Sequence, residues 1–441
     1  MKRMLLAVML IAMNGLALVA QDTGYTAADF KTNRDKLMAL AGDGIIVLPP
    51  GHADVPYLTG LTGREIGLIL VPAAIANKAP DPEVWQTTIY LPNRSPRAGV
   101  WEDRAVAYGD DVRRETGIDN TAPSSRFVGD LAKLGAVTDV VYVPYRSAPA
   151  IDSPLPADLK LADDLRRMLP SVTIKNLSPA LDTLRWAKTP TEIALMRKAC
   201  DMTTAAYKEA ARAIRVGLRE FDVDGVVNYV FKRTGAERAT FVIVGAGPNS
   251  VILHHGATDR VIQAGDLVLL DIGAGYRRVS TDLTRTVPAS GTFTPEQRKI
   301  YEIVLEANRK AIAVSKPGAT LADVHWAAWE VIDKAGYSKY FMHGTSHTLN
   351  GGADRTPLSI GLSTPARYTN GHSLRDVPLV PGSMFTIEPG IYLADKGFGI
   401  RIEDDILITE TGCEVLTKSA PKEIAEIEAL MKEPTAFVIK K

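Results

Sequence analysis

Residues 265–288 read GDLVLLDIGAGYRRVSTDLTRTVP, and the reading of the fold turns on how this stretch doubles back. Leu267–Leu270 is apolar without a break and ends in Asp271; glycines follow at 273 and 275, and a Thr- and Val-containing run then carries Asp282. An unbroken apolar run bounded by glycine reads as a strand buried on both faces, with the second run as its hairpin partner. Opposed residues in an antiparallel pair keep a constant index sum. Pairing Asp271 with Asp282 therefore puts the turn between Tyr276 and Arg277, just past a glycine corner. The two carboxylates would then face each other across the ladder, about 5.5 Å apart at Cα. Like charges opposed at a buried strand end repel unless something positive lies between them, and a metal ion is the obvious candidate.

A second hairpin repeats the arrangement. Met384–Glu388 (MFTIE) leads through Pro389 and Gly390 to Asp395, Lys396 and Gly397, then returns as RIEDDILIT, Arg401–Thr409. Pairing Glu388 with Glu403 centres its turn on Asp395 and Lys396, where Asp-Lys-Gly is good turn chemistry. His347, in MHGTSH, lies between the hairpins and adds an imidazole nitrogen. Four carboxylates and one imidazole make an oxygen-rich set that suits two divalent ions, Mn2+ foremost, with Co2+, Zn2+ or Fe2+ as alternatives. One acidic pair near strand ends is usually only solvated; two such pairs plus a histidine favour the metal.

Lys plus Arg equals Asp plus Glu at 51 each, so the formal charge is zero and nothing points to nucleic acid as a partner. With 441 residues, 46% of them hydrophobic, the chain has the length for two or three domains. Residues 1–20 have the layout of a secretory signal peptide. Lys2 and Arg3 precede an apolar core, Met4–Met13, and small residues at Gly15, Ala17 and Ala20 precede Gln21. Cleavage is expected after Ala20, with Ala17 as the alternative, giving an exported protein, periplasmic or secreted, with no stable membrane span after signal removal. Cys200 and Cys413 are too few for a disulfide framework and read as structural thiols; the sequence leaves their pairing open.

A helix is expected from Thr26 to Leu40, then strands at IIVLPP (from Ile45), GLILVP (from Gly67), TTIYLP (from Thr87) and VVYVP (from Val140). Helical patterns intervene near Ser124–Leu134 and Pro156–Met168, so residues 21–175 read as an α/β domain without a metal cluster or nucleophile constellation. The boundary falls within Ile174–Lys188, and residues 176–441 form the second domain. There, Thr189-Pro190-Thr191-Glu192 combines an N-cap, a helix-starting proline and a capping glutamate for a helix to about Ile214. Phe221–Lys232 reads as the next helix. Thr294-Pro295-Glu296-Gln297 starts another, to about Ser315, and Leu321–Ala335 a fourth ending at Gly336. Helices around antiparallel hairpins make this half α+β. GAGPNS at 245–250 lacks the Lys-Ser/Thr and glycine spacing of a phosphate loop and reads as a turn.

The stretch from about Leu177 to Leu430 resembles the pita-bread metallopeptidases, most closely the Xaa-Pro aminopeptidase (aminopeptidase P) and prolidase branch. The motifs ILHH, LLDIGAGY, STDLTRTVP, MHGTSH, FTIEPGIY and GIRIEDDILIT, in this order, carry the resemblance. YLTGLTG and GVWEDR resemble, more loosely, the creatinase-type N-terminal domain of that branch. The resemblance implies a pita-bread (creatinase/aminopeptidase-like) domain preceded by a smaller α/β creatinase-type domain. It also implies that Asp271, Asp282, His347, Glu388 and Glu403 hold a dinuclear centre, with Asp282 and Glu403 as two-metal carboxylates and Glu388 transferring the proton.

His254 matches the histidine that steadies the substrate carbonyl, and His343 supports the substrate or the ligands. Arg401, two residues from Glu403 on one strand face, orients a carboxylate or contacts substrate. One departure stands out. The family's histidine seven residues beyond the metal histidine is here Asp354, in TLNGGADR, and His372 is expected to replace it. The implied function is a dimetal exopeptidase releasing the residue before proline from proline-containing peptides. The alternatives are a prolidase acting on Xaa-Pro dipeptides and a non-catalytic pita-bread binding protein. A homo-oligomer, dimer or larger, is expected.

Overall fold

The computed structural model describes residues 24–77, 79, 85–92, 110–145, 154–349 and 376–437, and the statements below concern those residues. The signal-like segment, Asp354, His372 and GVWEDR lie outside them. The four apolar runs near the start of the chain are strands β1 (Ile45–Leu48), β2 (Gly67–Leu70), β3 (Thr88–Leu91) and β5 (Val140–Val143). They belong to a six-stranded mixed sheet ordered β4-β3-β2-β1-β5-β6, whose edges are β4 (Asn120–Pro123) and β6 (Thr173–Asn176). Apolar clusters cover both faces. Leu37, Leu58 and Leu181 pack on one, and Phe127, Leu131 and Leu165 on the other.

The second half is built as helices around antiparallel strands. Thr189 caps the helix Pro190–Ala213 in a reciprocal box: its hydroxyl accepts from the Glu192 backbone N–H, and the Glu192 carboxylate accepts from the Thr189 N–H. Thr294 and Gln297 do the same for Pro295–Val314. Each box satisfies two otherwise unpartnered helix-end donors. These helices, with Glu220–Thr234 and Leu321–Lys334, share one apolar core with the strands. Leu267–Leu270 within β8 (Leu267–Tyr276) is almost wholly buried. At about 1.5–3 kcal/mol for each fully buried aliphatic side chain, this run is a main source of the sheet's stability.

The two hairpins form, but only one has the expected register. Strand β11 (Met384–Ile387) pairs with β14 (Asp404–Ile408), and β12 (Gly390–Leu393) with β13 (Phe398–Arg401). Both ladders keep the register that sets Glu388 opposite Glu403, and Gly397 closes the turn in the left-handed region. In the first hairpin, β8 pairs with β9 (Val279–Ser280) and β10 (Leu283–Pro288) so that Asp271 faces Thr284, not Asp282. The reversal is made by Arg277 and Arg278, with φ of 43° and 73°, and not by the glycines. A side chain rarely adopts that conformation unaided. Here the Arg278 guanidinium donates to the carbonyls of Pro56 and Gly60, at the end of helix Val55–Thr59.

Gly273 lies inside β8, and its role is close approach. A Cβ there would meet the Thr281 carbonyl oxygen at 2.3 Å. Thr281 closes the gap between β9 and β10: its hydroxyl accepts the Ala274 N–H and pairs with the Thr203 hydroxyl. The Asp282 N–H then donates across to the carboxylate of Asp405, and the Glu403 N–H donates back to the Thr284 carbonyl. The hairpins are thus stitched together at the positions of their acids. Replacing Gly273 with alanine should push Thr281 and Asp282 out of place and lower the unfolding free energy by about 1–3 kcal/mol, read from a shifted denaturant midpoint.

Candidate metal centre

Three of the acids and the histidine meet where the ladders break. Asp282 lies between β9 and β10, and Glu388 and Glu403 sit between the two ladders of the second hairpin. Ligand atoms of Asp282, His347 and Glu403 all lie within 4.8 Å of one another. His347 Nε2 is 3.2 Å from Asp282 Oδ2, 3.6 Å from Glu388 Oε1 and 4.0 Å from Glu403 Oε1. Its Nδ1 faces the Thr348 carbonyl at 3.3 Å. A carbonyl only accepts, so Nδ1 carries the proton and Nε2 is the ligating nitrogen, the usual arrangement for a metal histidine.

Each of three carboxylates has one oxygen engaged and the other buried without a hydrogen-bond partner: Asp271 Oδ1, Asp282 Oδ1 and Glu403 Oε1. An unsatisfied buried acceptor costs about 1–3 kcal/mol, more when charged. Those of Asp282 and Glu403 belong to the cluster around the His347 nitrogen, a donor set that suits hard or borderline divalent cations.

Other side chains aim these groups. Arg401 is 3% exposed; it is ion-paired to Asp271 Oδ2, donates through Nε to the Thr284 hydroxyl (3.0 Å) and through Nη1 to Tyr392 Oη (3.0 Å). The Thr284 hydroxyl in turn donates a hydrogen bond to Glu403 Oε2 at 2.6 Å. His343 Nδ1 donates to the Gly344 carbonyl, so its Nε2 accepts from Tyr392 Oη at 2.9 Å. Burial, with the charge of Arg401, drives the His343 pKa down to about 3, so this imidazole is neutral. His343 also lies 3.8 Å from Glu388 Oε2. Thr284, Tyr392 and Asp405 were not singled out from the sequence. Tyr392 sits inside FTIEPGIY and Asp405 inside RIEDDILIT, but a polar residue's partner across the fold leaves no local signal.

His254 is exposed, preceded by Leu253, whose carbonyl accepts from Arg401 Nη2 at 3.5 Å. The residues expected from sequence at 271, 282, 343, 347, 388, 401 and 403 are therefore brought together, with His254 at their edge, while His372 and Asp354 fall outside the described residues. Cys200 and Cys413 are free thiols; Cys200 is buried and donates to Asp405 at 3.4 Å.

A model of metallopeptidase family M24 matches residues 194–410, the stretch that carries Asp271, Asp282, His343, His347, Glu388, Arg401 and Glu403. Xaa-Pro aminopeptidase of Escherichia coli strain K12 is 32% identical over 409 residues, covering 86% of this chain and 88% of that protein. The chain belongs to the M24 metallopeptidases. Its fold, a pita-bread domain behind a smaller α/β domain, is shared with a solved structure of a putative aminopeptidase P from Bacillus anthracis at TM-score 0.80 and 26% identity, covering 94% of this chain and 100% of that one. Xaa-Pro dipeptidase of Pyrococcus furiosus is 38% identical over 246 residues, 56% of this chain and 67% of that protein.

The crowding of acids sets the protonation of the site. Burial and the neighbouring Asp271 raise the Asp282 pKa to about 7; burial and Asp282 raise that of Glu403. Burial opposes the charged form of His347, but the hydrogen bond with Asp282 and the charge of Glu388 outweigh it and raise its pKa to about 10. A group whose pKa rises on folding stabilises the fold below its unfolded value and loses that contribution as pH climbs through its folded value. The metal-free protein should therefore melt at progressively lower temperature from about pH 6.5 to 10, the His347 window. Cation loading should release protons at pH 6–7, measured by calorimetry in two buffers of different ionisation heat. A proton count of zero would mean that the acids are not crowded as described.

Proposed function

We propose that the chain is a dimetal exopeptidase that releases the N-terminal residue from peptides with proline in second position. The observation that carries this reading is the cluster of Asp282, Glu403 and His347, whose two carboxylates each keep a buried oxygen without a hydrogen-bond partner. The match to the E. coli aminopeptidase extends through both halves of the chain, whereas that to the P. furiosus dipeptidase covers little more than half of it. This favours the aminopeptidase reading over prolidase.

Asp271, Asp282, His347, Glu388 and Glu403 would hold the ions, with Mn2+ the best fit to so many oxygens. Two divalent cations bound there supply Lewis-acid activation of water and of the scissile carbonyl. Glu388 is the acid best suited to accept a proton and return it to the leaving nitrogen. It is more open than Glu403, and burial raises its pKa above the ordinary carboxylate value. His254, exposed at the rim, is suited to hydrogen-bond the substrate carbonyl oxygen as negative charge develops on it. Arg401 pairs with Asp271 and keeps Tyr392 aimed, while neutral His343, with both nitrogens engaged, adds no charge beside Glu388. His372 belongs to the same reading as the imidazole replacing the one that Asp354 displaces.

Turnover of Xaa-Pro tripeptides and longer peptides should stop with chelator and return with Mn2+. Glu403→Gln should lower kcat/KM by at least about 100-fold, since an amide cannot offer two anionic oxygens. Cleavage confined to Xaa-Pro dipeptides would make the enzyme a prolidase, and chelator-insensitive cleavage would remove the metal from the mechanism. The same reading places the enzyme outside the cytoplasm, with residues 1–20 removed. The intact mass of the exported protein should correspond to a chain beginning at Gln21.

A further inference from the structure

Glu220 is the first residue of helix Glu220–Thr234 and is 0% exposed, yet no Lys or Arg pairs with it among the described residues. Its partners all come from one segment, residues 246–258. Oε1 accepts from the Ala246 N–H (2.8 Å) and Asn249 Nδ2 (2.9 Å). Oε2 accepts from the Thr258 N–H (3.0 Å) and the Thr258 hydroxyl (2.6 Å), and lies 2.9 Å from His255 Nε2. The helix start adds backbone bonds to the same strip, Phe221 N–H to the Thr258 carbonyl and Glu220 N–H to the Arg260 carbonyl. His254 sits inside this segment. Its neighbour on one side, His255, is held by Glu220, and the carbonyl of its neighbour on the other side, Leu253, is held by Arg401. The ring of His254 is exposed while the backbone on either side is tied down.

We propose that Glu220 is a positioning residue for the peptidase reaction, acting through His255 and the 246–258 segment to fix His254 against the substrate carbonyl. The inference rests on the role given to His254 under the proposed function. The chemistry of the contacts demands a carboxylate. The Ala246 and Thr258 N–H groups and the Asn249 amide nitrogen can only donate, and they divide between the two oxygens. A glutamine in either flip would turn its NH2 against at least one of those donors and leave it unsatisfied in a buried place. Burial alone would raise the Glu220 pKa, but the bonds from Thr258, Ala246 and His255 outweigh it and hold the carboxyl below its ordinary value.

The test is a double-mutant cycle on the metal-loaded full chain, reading kcat and KM on Ala-Pro-Ala. His254→Ala should lower kcat by about 100-fold, as loss of one donor to a developing oxyanion does. Glu220→Gln should lower kcat by about 10-fold or more with metal content at the parental level, and in the His254→Ala background it should cost less than about two-fold, because residues acting as a unit are not additive. His255→Phe should show the same dependence on His254 with a smaller loss, and it carries the comparison if Glu220→Gln does not fold. Equal losses in both backgrounds, or an unchanged kcat in Glu220→Gln while His254→Ala loses activity, would overturn the proposal. A parental kcat in His254→Ala would instead strike down the role given to His254, and the premise with it.

Discussion

The structure depends on one electrostatic constraint: several carboxylates are confined to a volume from which water is largely excluded. Asp271, Asp282 and Glu403 each keep a buried oxygen without a hydrogen-bond partner. Among the described residues, one permanently charged side chain, Arg401, is ion-paired to the group, through Asp271, and the His347 imidazole lies 3.2 Å from Asp282. Acids so arranged repel one another and take up protons, as the raised pKa values of Asp282, Glu388 and Glu403 record. Cations resolve that repulsion without disturbing the fold.

The scaffold meets the cost of this crowding away from the centre. Directly behind Glu403, Asp404 is fully buried but compensated, by Arg285 at 2.6 Å and Lys422 at 2.6 Å. Burial would raise its pKa, yet those two cations hold it well below the usual carboxylate range. Arg285 also donates to the Thr284 and Ala420 carbonyls (2.9 and 3.1 Å), tying β10 to the segment before the C-terminal helix Ile424–Leu430. Three consecutive acids therefore have three fates. Glu403 faces the centre, Asp404 is neutralised by permanent cations, and Asp405 braces the Asp282 backbone from a site where burial and Asp282 raise its pKa. Removing either partner of the Arg285–Asp404 pair would strand a buried charge, which is far costlier than the pair is worth in place.

Local chemistry made the second hairpin and the helix starts readable. Asp395-Lys396-Gly397 is a turn by composition alone, so the register of Glu388 against Glu403 follows from it. The Thr189 and Thr294 boxes are complete within four residues. The first hairpin was set two residues off register because its two acids were paired directly, whereas Asp271 faces Thr284. Gly273 is needed for the approach of the Thr281 carbonyl, and the reversal falls on two arginines, of which Arg278 is held by contacts with Pro56 and Gly60, over 200 positions away, and Arg277 by its N–H donating to Glu237. Edge strands β4 and β6 escaped notice because each buries a single residue fully, Ala122 and Ile174, and shows no apolar run. Thr284, Tyr392 and Glu220 were missed for the same reason: what makes them matter is a partner contributed from elsewhere in the fold.

The most direct test of the central claim is the number of divalent ions each chain binds, measured by elemental analysis after equilibrium dialysis against Mn2+. Two ions per chain are expected, falling in Asp282→Ala and Glu403→Ala variants that remain folded. A parent chain that binds no ion, or variants that still bind two, would contradict it.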